Sequence, residues 1–199
     1  MGAYYVPPGY RDRALPLLVA IHGTSGDGAG MVQLLRATAR ARSFIVVAPD
    51  SRIAPNGQAS WQVPRESDDV TEDADHIRRC VEEVEAMQDV RIDTRRTLVA
   101  GHSGGGSTAP YEASTDPTYT AFAVLHGGAF PGGFGSRLVR GWFSTGDADP
   151  IRPPTMVAAD AQRVRDAGFD SVVYRVFPGG HDVGAMELAE LIRWWLGDA

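Results

Sequence analysis

Cysteine is nearly missing from this chain of 199 residues: Cys80 stands alone, so no internal disulfide can form. On the apolar side of a helical pattern, a lone thiol reads as a small buried hydrophobe. Basic residues are outnumbered as well. Nineteen Lys and Arg face 25 Asp and Glu, a formal net charge of -6, and there is no basic tract. That excludes a nucleic-acid surface built on clustered cations. Apolar runs are short, and none approaches the ~20 residues a membrane-spanning helix needs. The five histidines, His22, His76, His102, His126 and His181, are scattered. With no Cys/His cluster at ligand spacing, no metal is expected. The stretch Met1 to Pro8 lacks a basic region followed by an apolar core, so a cytoplasmic location is expected.

What remains is an ordinary globular composition, 43% hydrophobic and 22% charged, in a length that suits one domain over residues 1–199. Apolar runs at Leu15–Ile21, Phe44–Ala48, Arg96–Ala100, Ala121–Leu125, Arg140–Thr145 and Val172–Phe177 read as strands. Most are uninterrupted, as in a parallel sheet covered on both faces. Tyr4-Tyr5-Val6 offers a further edge strand. Helical patterns lie between them, at 30–40, 70–87, 155–167 and 183–196. In the second, Val70, Ala74, Ile77, Val81 and Val84 share a face that Cys80 widens. This alternation predicts an α/β fold: a mostly parallel, twisted sheet of about six to seven strands with helices on both faces. The segments 51–67 and 126–135 read as long loops, and neither leaves room for a large cap domain.

The chemistry gathers where a strand meets a glycine-rich turn. Gly101-His102-Ser103-Gly104-Gly105 follows Thr97-Leu98-Val99-Ala100. Gly-x-Ser-x-Gly behind a strand marks a nucleophile elbow, in which the hydroxyl projects from a tight turn. A serine nucleophile needs a base to take its proton and a carboxylate to orient that base. His181, past Pro178-Gly179-Gly180 at the C-terminal end of a strand, is the candidate base. The loop Gly146-Asp147-Ala148-Asp149 offers two acids. The Gly-x-x-Asp spacing favours Asp149, with Asp147 tying the turn through backbone N–H groups. For the developing oxyanion, the Gly104 N–H after the nucleophile and the Thr24 N–H in His22-Gly23-Thr24-Ser25-Gly26 are the candidate donors.

The succession of His-Gly turn, Gly-x-Ser-x-Gly, Gly-x-x-Asp and Gly-His resembles the phospholipase/carboxylesterase group of α/β-hydrolases. That group lies near dienelactone hydrolases and polyhydroxybutyrate-depolymerase and feruloyl-esterase-like esterases. Tyr5-Val6-Pro7-Pro8-Gly9-Tyr10 before Pro16–Gly23, and Ile92-Asp93-Thr94-Arg95-Arg96 before the elbow strand, extend the likeness over nearly the whole chain. In this pattern the chain begins near the second strand, and Pro110 shortens or distorts the elbow helix. The resemblance implies a serine esterase acting on a small-molecule ester, with no cofactor, as a monomer or homodimer. A thioesterase, a peptidase or an acyltransferase on the same fold, or a non-catalytic binding protein, would share these motifs. Trp61 either packs on a loop edge or faces substrate, and Ser25 sits beside the oxyanion turn. His126 either lines the cleft or is a hydrogen-bonded structural histidine. His22 and His102 are expected to bond loops, and Arg52, Arg65 and Arg152 to solvate a surface. The acids Glu66, Asp68, Asp69, Glu72, Asp73 and Asp75 suit a helix N-terminus rather than a calcium loop.

Overall fold

Every residue of strand β2 (Leu15–Ile21) is buried, as an unbroken apolar run requires when both faces of a strand are covered. Its side chains alternate: Leu17, Val19 and Ile21 enter one core layer, Leu18 and Ala20 the other. A computed structural model describes residues 2–54, 57–62, 71–130, 132–169 and 171–197. β2 follows β1 (Gly2–Tyr5) and leads to helix α1 (Gly28–Arg42), β3 (Ile45–Pro49) and a small hairpin of β4 (Arg52–Ile53) and β5 (Ala59–Ser60). Helix α2 (Glu72–Glu85) then feeds β6 (Ile92–His102), a 3-10 turn at Ser103–Ser107, α3 (Ala109–Thr115), β7 (Ala121–Leu125) and β8 (Arg140–Gly146). Helix α4 (Pro154–Asp166), β9 (Val172–Phe177) and α5 (Ala185–Leu196) follow.

Seven strands form one sheet in the order β1-β3-β2-β6-β7-β8-β9. Only the β1–β3 pair is antiparallel, and the remaining neighbours run parallel. Helices α1 and α5 cover one face through Met31, Leu35, Leu191 and Trp195, whereas α2 and α4 cover the other through Ile77, Val81, Val157 and Val164. Cys80 is buried on the inner side of α2. This is the doubly covered parallel sheet that the alternating runs predict. Among the described residues, no helical insertion follows β7, and no helix is long and apolar enough to cross a membrane.

The departures are local. Helix α1 starts two residues early because Asp27 Oδ1 caps it, accepting the Gly30 N–H at 2.7 Å. Strand β6 reaches back to Ile92, which pairs with Leu15 across a register irregularity. The β4–β5 hairpin sits inside the predicted loop 51–67, and strands of two residues are too short to show a period. Residues 55, 56 and 63–67 of that loop, with Arg65 and Glu66 among them, lie outside the described residues. So do Asp68, Asp69 and Val70. Pro110 falls in the first turn of α3, where its missing N–H costs no helical bond. The elbow helix is accordingly split into the 3-10 turn and α3. Arg152 is not a surface cation: it pairs with Asp160, and its Nε–H reaches the Gly127 carbonyl at 3.1 Å.

Glu112 lies buried on α3. Burial, with Asp116, Asp73 and Asp75 nearby, pushes its carboxyl up to about 8. A folded-state value above the unfolded one contributes stability that is complete below the unfolded value and is lost as pH rises through about 8. Relative to Glu112→Gln, the wild-type melting temperature should therefore fall between about pH 5 and about pH 9. Parallel melting curves for the two proteins over that range would refute the assignment.

Candidate active site

The turn after β6 puts Ser103 in the left-handed region, at φ 49°. For a non-glycine residue that conformation costs about 1–3 kcal/mol and persists only where its surroundings enforce it. Two glycines make the enforcement possible. A Cβ at Gly101 would run into the Gly105 carbonyl, and one at Gly105 would lie 2.5 Å from the carbonyl oxygens of Ile21 and His22. The elbow is thus pressed against the C-terminal end of β2, with the serine hydroxyl above the sheet edge.

The loops after β8 and β9 bring two more side chains to it. His181 Nε2 lies 2.9 Å from Ser103 Oγ. Its Nδ1 is 2.9 Å from Oδ2 and 3.0 Å from Oδ1 of Asp149. A nitrogen facing a carboxylate carries the proton, which leaves Nε2 free to accept from the serine. Asp149 is 3% exposed. Its Oδ1 accepts the Ile151 and Arg152 N–H groups at 2.9 and 2.8 Å. Burial alone pushes this carboxyl up, but donation from Arg152, His126, His181 and Ile151 outweighs it and holds the group well below the usual carboxylate range. Asp147, the other acid of the loop, is exposed and accepts the Gly179 N–H at 3.0 Å, tying one loop to the other.

The loop after β2 faces the serine. Its Ser25 N–H is committed to Ala59 O at 2.9 Å and its Gly26 N–H to Gly23 O at 3.0 Å. Among the described residues nothing engages the Thr24 N–H. A Cβ built on Gly104 would lie 3.5 Å from Thr24 N, so the two candidate donors adjoin. His22 braces the loop: the Ser51 N–H donates to its Nε2 at 3.0 Å, so its Nδ1 carries the proton and donates to Gly23 O at 2.7 Å. His102 holds the other side by donating from Nε2 to the His181 carbonyl at 2.8 Å. Burial lowers its proton affinity.

Of the two readings open for Trp61 and for His126, the structure gives the packed one rather than a place in the cleft. Trp61 is 8% exposed, and its Nε1–H donates to His22 O at 2.8 Å, so it supports the backbone of the loop after β2. His126 is 1% exposed and lies behind Asp149, between that carboxylate and Glu187. Ser25 does line the cleft, with Thr24, Met31 and Ile151 around Ser103 and His181. Glu187 escapes a motif-based reading. Its signal is positional, since it shares the buried stripe of α5 with Leu191 and Trp195 at four-residue steps.

The cleft measures about 520 Å³ and is open to solvent. Beside it, His126, Asp149 and His181 are the group of metal-type donor atoms found among the described residues, all within 4.8 Å of one another. Their contacts of 2.8 and 2.9 Å are direct hydrogen bonds. Ligands of a tetrahedral zinc would stand about 3.3 Å apart.

No family model matches the sequence, and no curated protein matches it. Solved structures do. Esterase PE8 superposes with a TM-score of 0.71 at 17% identity, covering 100% of this chain and 98% of that one. Acyl-protein thioesterase 2 of Zea mays gives 0.70 at 18% identity, with 99% of each chain covered. The carboxylesterase of Bacillus cereus gives 0.67 at 15%, covering 98% and 92%. At such identities the likeness concerns the fold, and the fold is that of the α/β-hydrolases.

The geometry separates the two acids. Asp149→Asn should cut the reactivity of the Ser103 hydroxyl toward an activated ester by about 10⁴-fold, since an amide cannot steady a protonated His181. Asp147→Asn should cost less than about tenfold, because Asp147 touches only backbone. Rates of p-nitrophenyl acetate hydrolysis for the two variants decide it, and equal losses would refute the assignment.

Proposed function

We propose that the protein is a serine hydrolase that cleaves carboxylic esters, thioesters included, through an acyl-enzyme. The observation that carries this reading is the continuous hydrogen-bonded line from Ser103 Oγ through His181 to Asp149, facing an N–H donor with no other partner among the described residues. The esterase and thioesterase names of the similar structures agree with it.

In the proposed cycle, His181 Nε2 takes the Ser103 proton as Oγ attacks the acyl carbonyl. The Thr24 and Gly104 N–H groups receive the oxyanion, a contribution of about 2.7–4 kcal/mol per donor. Asp149 steadies the imidazolium without taking its proton. His181 then protonates the departing alcohol or thiol, and the carbon–oxygen or carbon–sulfur bond breaks to leave the acyl group on Ser103. Water, deprotonated by the same nitrogen, releases the acid and restores the serine. The open cleft, with Met31 and Ile151 as its larger apolar walls, suits short or soluble acyl groups better than long chains.

Hydrolysis of p-nitrophenyl esters from acetate to palmitate should peak at the short end. Ser103→Ala should lower it by about a thousandfold or more. A folded Ser103→Ala variant that keeps wild-type turnover would remove the proposal's basis. Turnover rising steadily toward palmitate would remove the short-chain preference.

A further inference from the structure

We infer that His126 and Glu187 are positioning residues for this reaction, holding Asp149 from behind so that it stays ionised and oriented opposite His181. The inference rests on the reading of Ser103, His181 and Asp149 as a hydrolytic triad.

His126 closes β7 in the left-handed region, at φ 51°, a strained conformation like that of Ser103. Its side chain and those of Asp149 and Glu187 are each 1% exposed or less. Asp149 Oδ2 stands 2.8 Å from His126 Nδ1 and 2.9 Å from His181 Nδ1. A carboxylate held ionised has no proton to offer, so both nitrogens donate to it. On the far side, His126 Nε2 is 3.1 Å from Glu187 Oε2. That oxygen also accepts the Gly184 N–H at 3.3 Å, while Glu187 Oε1 is buried with no partner among the described residues.

A proton shared by His126 and Glu187 makes the pair neutral, whether it is imidazolium with carboxylate or imidazole with acid. In both forms Nδ1–H still points at Asp149. Burial pushes His126 down, but Glu187 and Asp149 outweigh it and raise its proton affinity. In the imidazolium form, Glu187 cancels a cation that would otherwise oppose a second one on His181, whose ring centroid is 5.6 Å away. The groups facing His126 are Asp149 after β8, Glu187 on α5, His181 after β9 and His102 on β6, at 5.8 Å. Arg152, paired with Asp160, contacts the Gly127 carbonyl next in the chain. A purely structural role, fastening α5 to the sheet, would affect stability and leave the pH dependence of the reaction alone.

The experiment compares wild type, His126→Leu and Glu187→Gln in p-nitrophenyl acetate hydrolysis and in fluorophosphonate labelling of Ser103, across pH. His126→Leu should lower kcat by about 10- to 100-fold, the loss of one charge-assisted hydrogen bond, with KM unchanged. Its acidic limb should move to higher pH, because Asp149 loses a donor and leans more on His181 for its remaining hydrogen bonds. Glu187→Gln can still bond Nε2 and keeps the pair neutral with an uncharged His126. It should lower kcat less, and its limb should not move up. If His126→Leu fails to fold with Glu187 stranded, His126→Leu/Glu187→Leu removes both polar groups and carries the same expectation. A folded leucine variant with wild-type kcat and an unmoved limb would overturn the inference. So would a Glu187→Gln limb that rises as far as that of the leucine variant. A folded wild type whose Ser103 neither labels nor turns over ester would instead overturn the hydrolase reading and take this one with it.

Discussion

A carboxylate taken out of water must recover its hydrogen bonds from the protein, and Asp149 draws them from three loops. The Ile151 and Arg152 N–H groups come from its own loop, an imidazole from the end of β7, and a second imidazole from beyond β9. Leaving such a charge unpaired would cost several kcal/mol, so these segments are not free to move independently. The relative placement of β7, β8 and β9 is thus fixed by one buried charge. Glu187 adds α5 to the same web through His126.

The other half of the site is governed by contact rather than charge. The elbow turn lies against the carbonyl ends of β2, at a distance only glycine permits. The loop that carries Thr24 is therefore built on the same strand end that receives Ser103. Trp61, His22 and Ala59 brace it through hydrogen bonds to its backbone. The β4–β5 hairpin, remote from Ser103 in sequence, sets which N–H of the loop is left over.

How much of this is legible in the sequence depends on how local its cause is. The strand runs and the elbow follow from neighbouring residues: apolar stretches bounded by glycine, and a Gly-x-Ser-x-Gly behind one of them. The spacing that favours Asp149 over Asp147 is local too, and Asp149 is the acid that meets His181. The placement of Trp61 and His126 is not local. An aromatic ring beside a site motif suits either a wall or a buttress, and only the packing of β5 and α5 tells them apart. Glu187 belongs to the same class. It breaks the apolar stripe of α5, but its partner lies 61 positions away in the chain.

The left-handed serine has a consequence for how such a chain evolves. At φ 49° glycine would sit with less strain than serine. A lineage shaped by thermal persistence alone therefore has a downhill route that erases the hydroxyl and leaves the sheet intact. Ser103 stands against that gradient, so the cheapest improvement open to the fold is the loss of this hydroxyl.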